Sequence, residues 1–365
     1  MPLKKLTLKA GVNRENTRYT NEGGWYECDK VRFRQGTPEK IGGWQRISQS
    51  VFQGVCRSIW NWVTLGSQNL VGLGTNLKFY IENGGGYYDI TPLRKAAATL
   101  TNPFTTTSGS ATVTVTDATG GYIVGDFVTF SNASAVGGLT IDGEFQVVDL
   151  SSSTSYTITA SSNATSAATG GGTVTAEYQI NVGPAFAIPL VGWGASSWGS
   201  GTWGIGAESV EEVRQWSQAN FGEDLIFGPR GGTLFYWDAS ATNSLSVRGV
   251  ALSSVVGASN VPTIQNLTLV SDISRFVFCF GCNELGSASL NTMLIRWSDQ
   301  EDATNWTPSA TNQSGDLILS NGTNIIAAKQ SRQEVLVWTD SALYALQYVG
   351  APAVWTAQLV GENTS

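Results

Sequence analysis

Histidine is absent from all 365 residues of this sequence. Histidine is the commonest general acid and base near neutral pH and a frequent metal ligand, so its absence excludes Ser-His-Asp and Cys-His catalysis. It also removes most catalytic zinc and non-haem iron sites, although carboxylate and lysine chemistry stay open. We therefore expect a protein that is not an enzyme and that holds no metal or cofactor.

Charged residues and long apolar runs are also scarce. Asp, Glu, Lys and Arg make up 13% of the chain, which is about half of the usual share. No stretch approaches the roughly 18 uncharged apolar residues of a membrane span. Four cysteines are too few for a disulfide scaffold, and no apolar signal segment follows the N-terminus. We expect a soluble chain, made in a reducing cytoplasm, with no membrane-spanning segment.

What is abundant favours β-strands joined by tight turns. The sequence has 42 glycines, 13 tryptophans and 41% hydrophobic residues. Glycine suits turns, whereas aromatic and β-branched residues suit strands. The predicted fold class is all-β.

A strand–turn–strand pattern occurs four times. Residues 55–92 predict a unit of three or four strands, and residues 223–237, 275–297 and 333–346 each predict a similar hairpin. Repeats at irregular spacings of about 45–60 residues are typical of β-propeller blades. We predict a propeller-like body with a first blade region at residues 55–97 and the remaining blades at residues 181–365.

Residues 98–180 interrupt this series with a different composition. They contain no Lys, Arg or Trp, and they include alternating segments such as Ala111–Thr116. We predict a small acidic β-barrel or sandwich domain inserted among the blades. We expect its carboxylates, which have no basic partner in the segment, to be solubilising charge at loop positions. They are Asp117, Asp126, Asp142, Glu144, Asp149 and Glu177.

Charge is unevenly distributed along the chain. Residues 1–57 hold 11 Lys and Arg against 5 Asp and Glu, whereas the remainder holds 10 against 23. We predict an extended basic β arm at residues 1–54, which docks on an acidic neighbour or contacts nucleic acid without sequence specificity. Within it, Val31–Arg34 alternates apolar and basic residues, which predicts a strand with one charged face. The candidate contact residues of the arm are Arg14, Arg18, Trp25, Arg32, Arg34, Lys40 and Trp44.

A second candidate contact segment contains three Trp-Gly pairs at five-residue spacing, with tryptophans at Trp193, Trp198 and Trp203. Tryptophan offers a large rigid surface, and glycine lets the backbone approach closely. Two interpretations stay open: the tryptophans pack between blades of their own chain, or they form a contact between subunits.

Two patterns bear on chemistry. Cys279 and Cys282 have the spacing of a zinc or redox pair, but a closed zinc site needs four ligands, so a buried pair in a strand is favoured. Adjacent carboxylates suggest glycoside hydrolysis, but neighbouring residues on a strand point to opposite faces. A further acidic group suggests cation binding, but it lacks the spacing of a calcium-binding loop. The adjacent pairs are Glu211–Glu212, Glu223–Asp224 and Glu301–Asp302, and the candidate cation group is Asp299–Asp302.

The arm contains the most specific motifs of the sequence: Asn13–Tyr19, Glu22–Tyr26, Asp29–Gly36 and Pro38–Trp44. Together they resemble the opening of the tail nozzle proteins of short-tailed bacteriophages, also described as packaged-DNA stabilisation or tail tubular proteins. The resemblance implies a structural protein of the virion tail that forms a homohexameric ring below the portal and adaptor. It further implies contacts with tail fibres or spikes, and with genomic DNA that is held in the channel until ejection.

The alternative is a receptor-binding or glycan-degrading phage tail protein. It predicts an exposed aromatic platform and a carboxylate pair roughly 5–10 Å apart in a cleft. A non-viral propeller or adhesin is disfavoured because the sequence shows no secretion signal.

Overall fold

The computed structural model describes residues 9–362 apart from residues 16, 44, 47, 95, 96, 183–214 and 273. In these residues the regular structure is almost entirely β. The helices among them are two short 3₁₀ turns, Ser244–Ser246 and Leu252–Ser254. The prediction of an all-β protein is confirmed.

Residues 1–49 form a compact unit of their own, and residues 50–365 form a second. In the described part of the first unit, the sheet is one antiparallel hairpin. Its strands are β1 (Val31–Arg34) and β2 (Thr37–Lys40).

The second unit opens with a four-stranded antiparallel sheet in which each strand pairs with the next one along the chain. This sheet corresponds to the unit predicted at residues 55–92. Its strands are β3 (Cys56–Val63), β4 (Asn69–Thr75), β5 (Phe79–Asn83) and β6 (Gly86–Asp89).

The segment that follows forms two antiparallel sheets with a shared core. Its strands are β7 (Ala98–Thr101), β8 (Phe104–Thr106), β9 (Thr112–Thr116), β10 (Phe127–Ser131), β11 (Gly143–Gln146), β12 (Asp149–Ser152), β13 (Ser155–Thr159), β14 (Ala168–Gly170) and β15 (Thr173–Tyr178). One sheet of the insert has the strand order β11-β10-β15-β7, and the other has the order β12-β13-β9-β8-β14. The core between them is apolar because alternate residues, such as Val113 and Val115 of β9, point inward and are fully buried. Phe104 and Phe130 meet edge to face across it, 5.0 Å apart.

Three more four-stranded sheets complete the chain, and each again pairs consecutive strands. They contain the three predicted hairpins, with a further strand on each side. The second sheet has β16 (Trp216–Phe221), β17 (Asp224–Pro229), β18 (Phe235–Trp237) and β19 (Val250–Ala251); the third has β20 (Gln265–Val270), β21 (Val277–Asn283), β22 (Leu290–Trp297) and β23 (Gly315–Ile318); the fourth has β24 (Ile325–Gln330), β25 (Glu334–Thr339), β26 (Ala342–Gly350) and β27 (Val354–Glu362).

The four sheets pack in chain order, each sharing an apolar core with the next. Their first strands lie together, β3 against β16, β16 against β20, and β20 against β24. Aromatic pairs fill the cores, for example Phe79 with Phe227 at 4.4 Å and Phe278 with Trp355 at 4.9 Å between ring centroids. Sequential four-stranded meanders are the building blocks of propellers. Closure into a ring of blades, and the domain boundaries at residues 54, 98 and 180, stay predictions.

Candidate partner-binding arm

The hairpin of the arm is built by its turn. Gln35 and Gly36 both have positive φ, 50° and 82°, which matches the two-residue turn that suits the twist of a hairpin. Gly36 adopts this conformation without steric cost, whereas Gln35 tolerates it less readily. The turn fixes the register, in which Arg34 lies opposite Thr37 and Arg32 opposite Glu39.

The predicted charged face of β1 is present. Arg32 and Arg34 are exposed, whereas Val31 and Phe33 on the other face are half-buried. Lys40 lies opposite Val31 and therefore on the apolar side of the hairpin. Arg32 pairs with Glu39 at 3.1 Å, but an exposed pair of this kind stabilises by only about 0–1 kcal/mol.

Trp25 is an internal anchor of the arm. Its ring meets Phe33 edge to face at 6.0 Å, and its indole N–H is buried without a hydrogen-bond partner among the described residues. The buried Asn21 amide donates to the carbonyls of Asn13 and Trp25. Gly24 allows this packing, because a Cβ there would stand 2.2 Å from the Asn21 side-chain oxygen.

Arg14 and Arg18 are brought together on the ring of Tyr26. Their guanidinium carbons lie 5.6 and 4.9 Å from its centroid, which is within cation–π range. Arg14 also donates to the Tyr26 carbonyl at 3.4 Å and lies 3.6 Å from the Glu27 carboxylate. The aromatic side chain therefore holds two of the predicted contact residues at one place. The other predicted contacts, Trp44, Trp193, Trp198 and Trp203, lie outside the described residues.

The insert's carboxylates are not all solubilising charge, and for three of them the prediction is wrong. Asp117 and Asp126 are buried, and Glu144 binds a basic residue from outside the insert. The buried ammonium group of Lys78 lies between the carboxylates of Glu144 and Asp89, at 3.0 Å from Asp89. The Gln179 amide donates to both carboxylates. We call these four residues the Lys78 cluster; it joins the insert to the first sheet.

A second polar contact also joins the insert to residues beside it. Arg94 pairs with Asp126 at 2.8 Å, and the Asn181 amide donates to the same carboxylate at 2.9 Å. The buried charges have partners, as burial requires. These partners lie 32 to 66 residues away along the chain, where local composition does not reveal them.

Charge neighbours hold the pKa of Asp89 below its ordinary value. Burial alone would raise the pKa, but Arg248, 3.3 Å away, and Lys78 favour the ionised form. Hydrogen bonds from Thr91 act in the same direction.

Inside the insert, Asp117 accepts a hydrogen bond from the Tyr178 hydroxyl at 2.7 Å, and Tyr178 and Tyr156 share another at 2.8 Å. Burial raises the pKa of both tyrosines well above the ordinary value. All three side chains are fully buried, so we assign them to the core of the insert.

The cysteine pair is buried, as the strand interpretation predicted. Cys279 and Cys282 both lie in β21 and are fully buried as free thiols. Burial raises the pKa of Cys282 to about 12 and that of Cys279 well above its ordinary value. Among the residues described by the structure, no group of three metal-ligating side chains is suited to hold an ion.

The described carboxylate pairs hold backbone and side chains of the body. Asp224 accepts from the Tyr236 hydroxyl at 2.6 Å and the Ala239 N–H at 3.0 Å, and Glu223 accepts from the Leu65 N–H at 3.0 Å. Burial raises the pKa of Asp224. Asp299 and Asp302 likewise accept backbone N–H groups of their own loop and its neighbour. Glu211 and Glu212 lie outside the described residues.

No helix within the described ranges is long and apolar enough to cross a membrane. No family model matches the sequence, and no curated protein matches it. A solved structure described as phage phi92 endosialidase is 13% identical, with a TM-score of 0.25; the match covers 90% of this chain and 45% of that one. The chain therefore spans less than half of that protein, and a TM-score this low carries no argument about its function.

Proposed function

We propose that this chain is a structural protein of a bacteriophage tail, and within the tail a subunit of the nozzle ring below the portal and adaptor. In this role identical copies surround the DNA channel, retain the packaged DNA and release it at ejection. The observation that carries the proposal is the basic arm, predicted at residues 1–54, which has the motifs that resemble nozzle proteins. Residues 1–49 of it fold as a compact unit of their own.

The arrangement of the arm suits a docking role. Its aromatic residues make contacts within the unit: Trp25 packs on Phe33, and the ring of Tyr26 contacts Arg14 and Arg18. Its strand cations Arg32 and Arg34 are exposed. A partner surface of opposite charge would therefore meet a positioned set of guanidinium groups, which favours fast and specific association.

The charge of the rest of the chain suits a channel. Residues 58–365 hold 10 Lys and Arg against 23 Asp and Glu. An acidic wall repels phosphates, so DNA passes without adhering to it. The same acidic surface complements the basic arm of a neighbouring copy.

The proposal is tested with virus particles assembled without this chain. Such particles are expected to package DNA and then lose it, and the added wild-type protein is expected to restore retention, measured as nuclease-protected DNA. Particles that keep their DNA and show complete tails without this chain would contradict the proposal.

A charge-reversed arm sharpens the test. The double variant Arg32→Glu and Arg34→Glu is expected to restore little retention, because it reverses the exposed face of β1. The matched control, Lys329→Glu with Arg332→Glu, makes the same change of charge at exposed positions of the body and is expected to restore retention fully. Equal restoration by the two variants would show that the arm is not the docking element.

A further inference from the structure

The hairpin of the arm has one edge that is able to pair with another strand. The Lys30 carbonyl accepts a hydrogen bond from the Ile41 N–H at 2.9 Å. Because hydrogen-bonded and non-bonded pairs alternate along an antiparallel ladder, Arg32 and Arg34 also bond across the hairpin. The backbone N–H and C=O groups of Val31 and Phe33 therefore point outward, away from β2. On β2 the corresponding position is Pro38, which has no N–H. Within the described ranges no strand pairs with this outer edge of β1, which keeps both its donors and its acceptors, whereas the outer edge of β2 lacks a donor at Pro38. An isolated two-stranded hairpin is marginally stable and gains from a third strand.

The fourth sheet ends in an edge of unusual length. Strand β27 has nine residues, whereas the last strands of the other three four-stranded sheets, β6, β19 and β23, have four, two and four. No described strand pairs with the outer edge of β27. From Val354 to Gly361 it contains no proline and no charge, and Leu359 and Val360 are 41% and 58% exposed. Edge strands are normally blunted by shortness, charge, proline or β-bulges. The pairing of β27 with β26 shifts register near both ends of β27, and between these shifts Trp355–Leu359 forms a regular edge of five residues.

Strand β1 and the outer strands of the fourth sheet differ in charge. Around β1 stand the exposed Arg32 and Arg34. Strands β25 to β27, residues 334–362, hold Glu334, Asp340 and Glu362 and no Lys or Arg, whereas Lys329 lies in β24 at the far side of the sheet.

We infer that strand β1 of one copy pairs with the free edge of β27 in a second copy and extends its fourth sheet to five strands. The inference rests on the proposed function, in which identical copies assemble. The contact is heterologous, since it joins different surfaces of the two copies, so successive contacts close into a ring or extend into a filament. Backbone hydrogen bonds provide the pairing, as in other cases of strand addition.

Two single variants of the full chain test the contact by analytical ultracentrifugation. Phe33→Pro removes an outward N–H from β1, and Phe33→Ala is its control, because it removes the same ring but keeps the donor. Val360→Lys places a charge on the edge of β27, and Val250→Lys is its control on the short edge of β19, where Val250 is 46% exposed. Phe33→Pro and Val360→Lys are each expected to raise the concentration for half-assembly at least about tenfold relative to their controls. Phe33→Pro leaves a backbone acceptor of β27 without its donor, whereas Val360→Lys brings a positive charge close to the exposed arginines of β1.

Mixing the two defective variants gives the decisive result. The Phe33→Pro chain keeps an intact β27 and the Val360→Lys chain keeps an intact β1, so the mixture is expected to form one-to-one pairs and nothing larger. Assembly of either variant at wild-type concentrations, or an equal mixture that stays monomeric while the wild type assembles, would overturn the inference. A wild-type chain that stays monomeric at high concentration would also overturn it. The proposed function is judged separately, by DNA retention in particles.

Discussion

The Lys78 cluster gives the sharpest stability prediction. Replacing Lys78 by methionine keeps most of the side-chain volume but removes the ammonium group, whose side chain is 3% exposed. The carboxylates of Asp89 and Glu144, which are 22% and 25% exposed, then face one another without it. Asp89 keeps a second basic neighbour, Arg248 at 3.3 Å.

The magnitude follows from the geometry. At 3.0 Å and an effective dielectric constant of about 20, one such pair attracts with about 5 kcal/mol. Desolvation of the ammonium group, which costs several kcal/mol, offsets much of this gain. Removing one partner of a buried pair typically costs 3–5 kcal/mol, and because Arg248 and some solvent remain we expect about 3 kcal/mol.

Urea unfolding, followed by tryptophan fluorescence, measures this cost. The control is Arg32→Met, which breaks the exposed pair with Glu39 and is expected to cost at most about 1 kcal/mol. A double-mutant cycle with Glu144→Gln is expected to show a coupling energy of about 1 kcal/mol or more between the two positions. If Lys78→Met costs no more than Arg32→Met, the reasoning about buried partners is refuted.

Three other predictions concern single positions. The pKa of Asp89 is lowered in the folded state, so this residue contributes stability that is present above its ordinary pKa and is lost as the pH falls. In urea unfolding the wild type should therefore lose more stability than Asp89→Asn between about pH 5 and pH 3. Equal losses in the two proteins would contradict this. Gly74→Ala should destabilise by about 1–3 kcal/mol, because its Cβ would stand 2.5 Å from the Trp216 ring in the core between the first two sheets, and an unchanged unfolding midpoint would contradict that packing. In the native protein an alkylating reagent should modify exposed Cys56 rapidly and buried Cys282, whose pKa is about 12, only after unfolding; mass spectrometry that finds equal rates would contradict the assignment.

The hairpins of the fold were predictable from the sequence because their signals are local. Residues 333–346 alternate around a short turn, and the structure places β25 and β26 there with a direct register. The additional outer strands were less visible. Strand β19 has two residues, too few for a period to be recognised, and it forms because β18 offers it an edge.

The partners of the insert's carboxylates could not be predicted from composition. Lys78 is separated from Glu144 by 66 residues, and the two meet only when the insert folds back on the first sheet. One signal was available: Lys78 stands between Leu77 and Phe79 at the start of an apolar strand, where a cation needs an acidic partner. The sequence identified the charged face of β1 but did not show that Tyr26 gathers Arg14 and Arg18, since this depends on the path of the loop.

The central claim is that this chain is a structural part of a phage tail. The most direct measurement is negative-stain imaging of particles in which the N-terminus of the chain carries a gold-binding tag. The account predicts gold in a ring at the tail, below the head and centred on its axis. Label on the sides of the head only, or particles without any label, would contradict it.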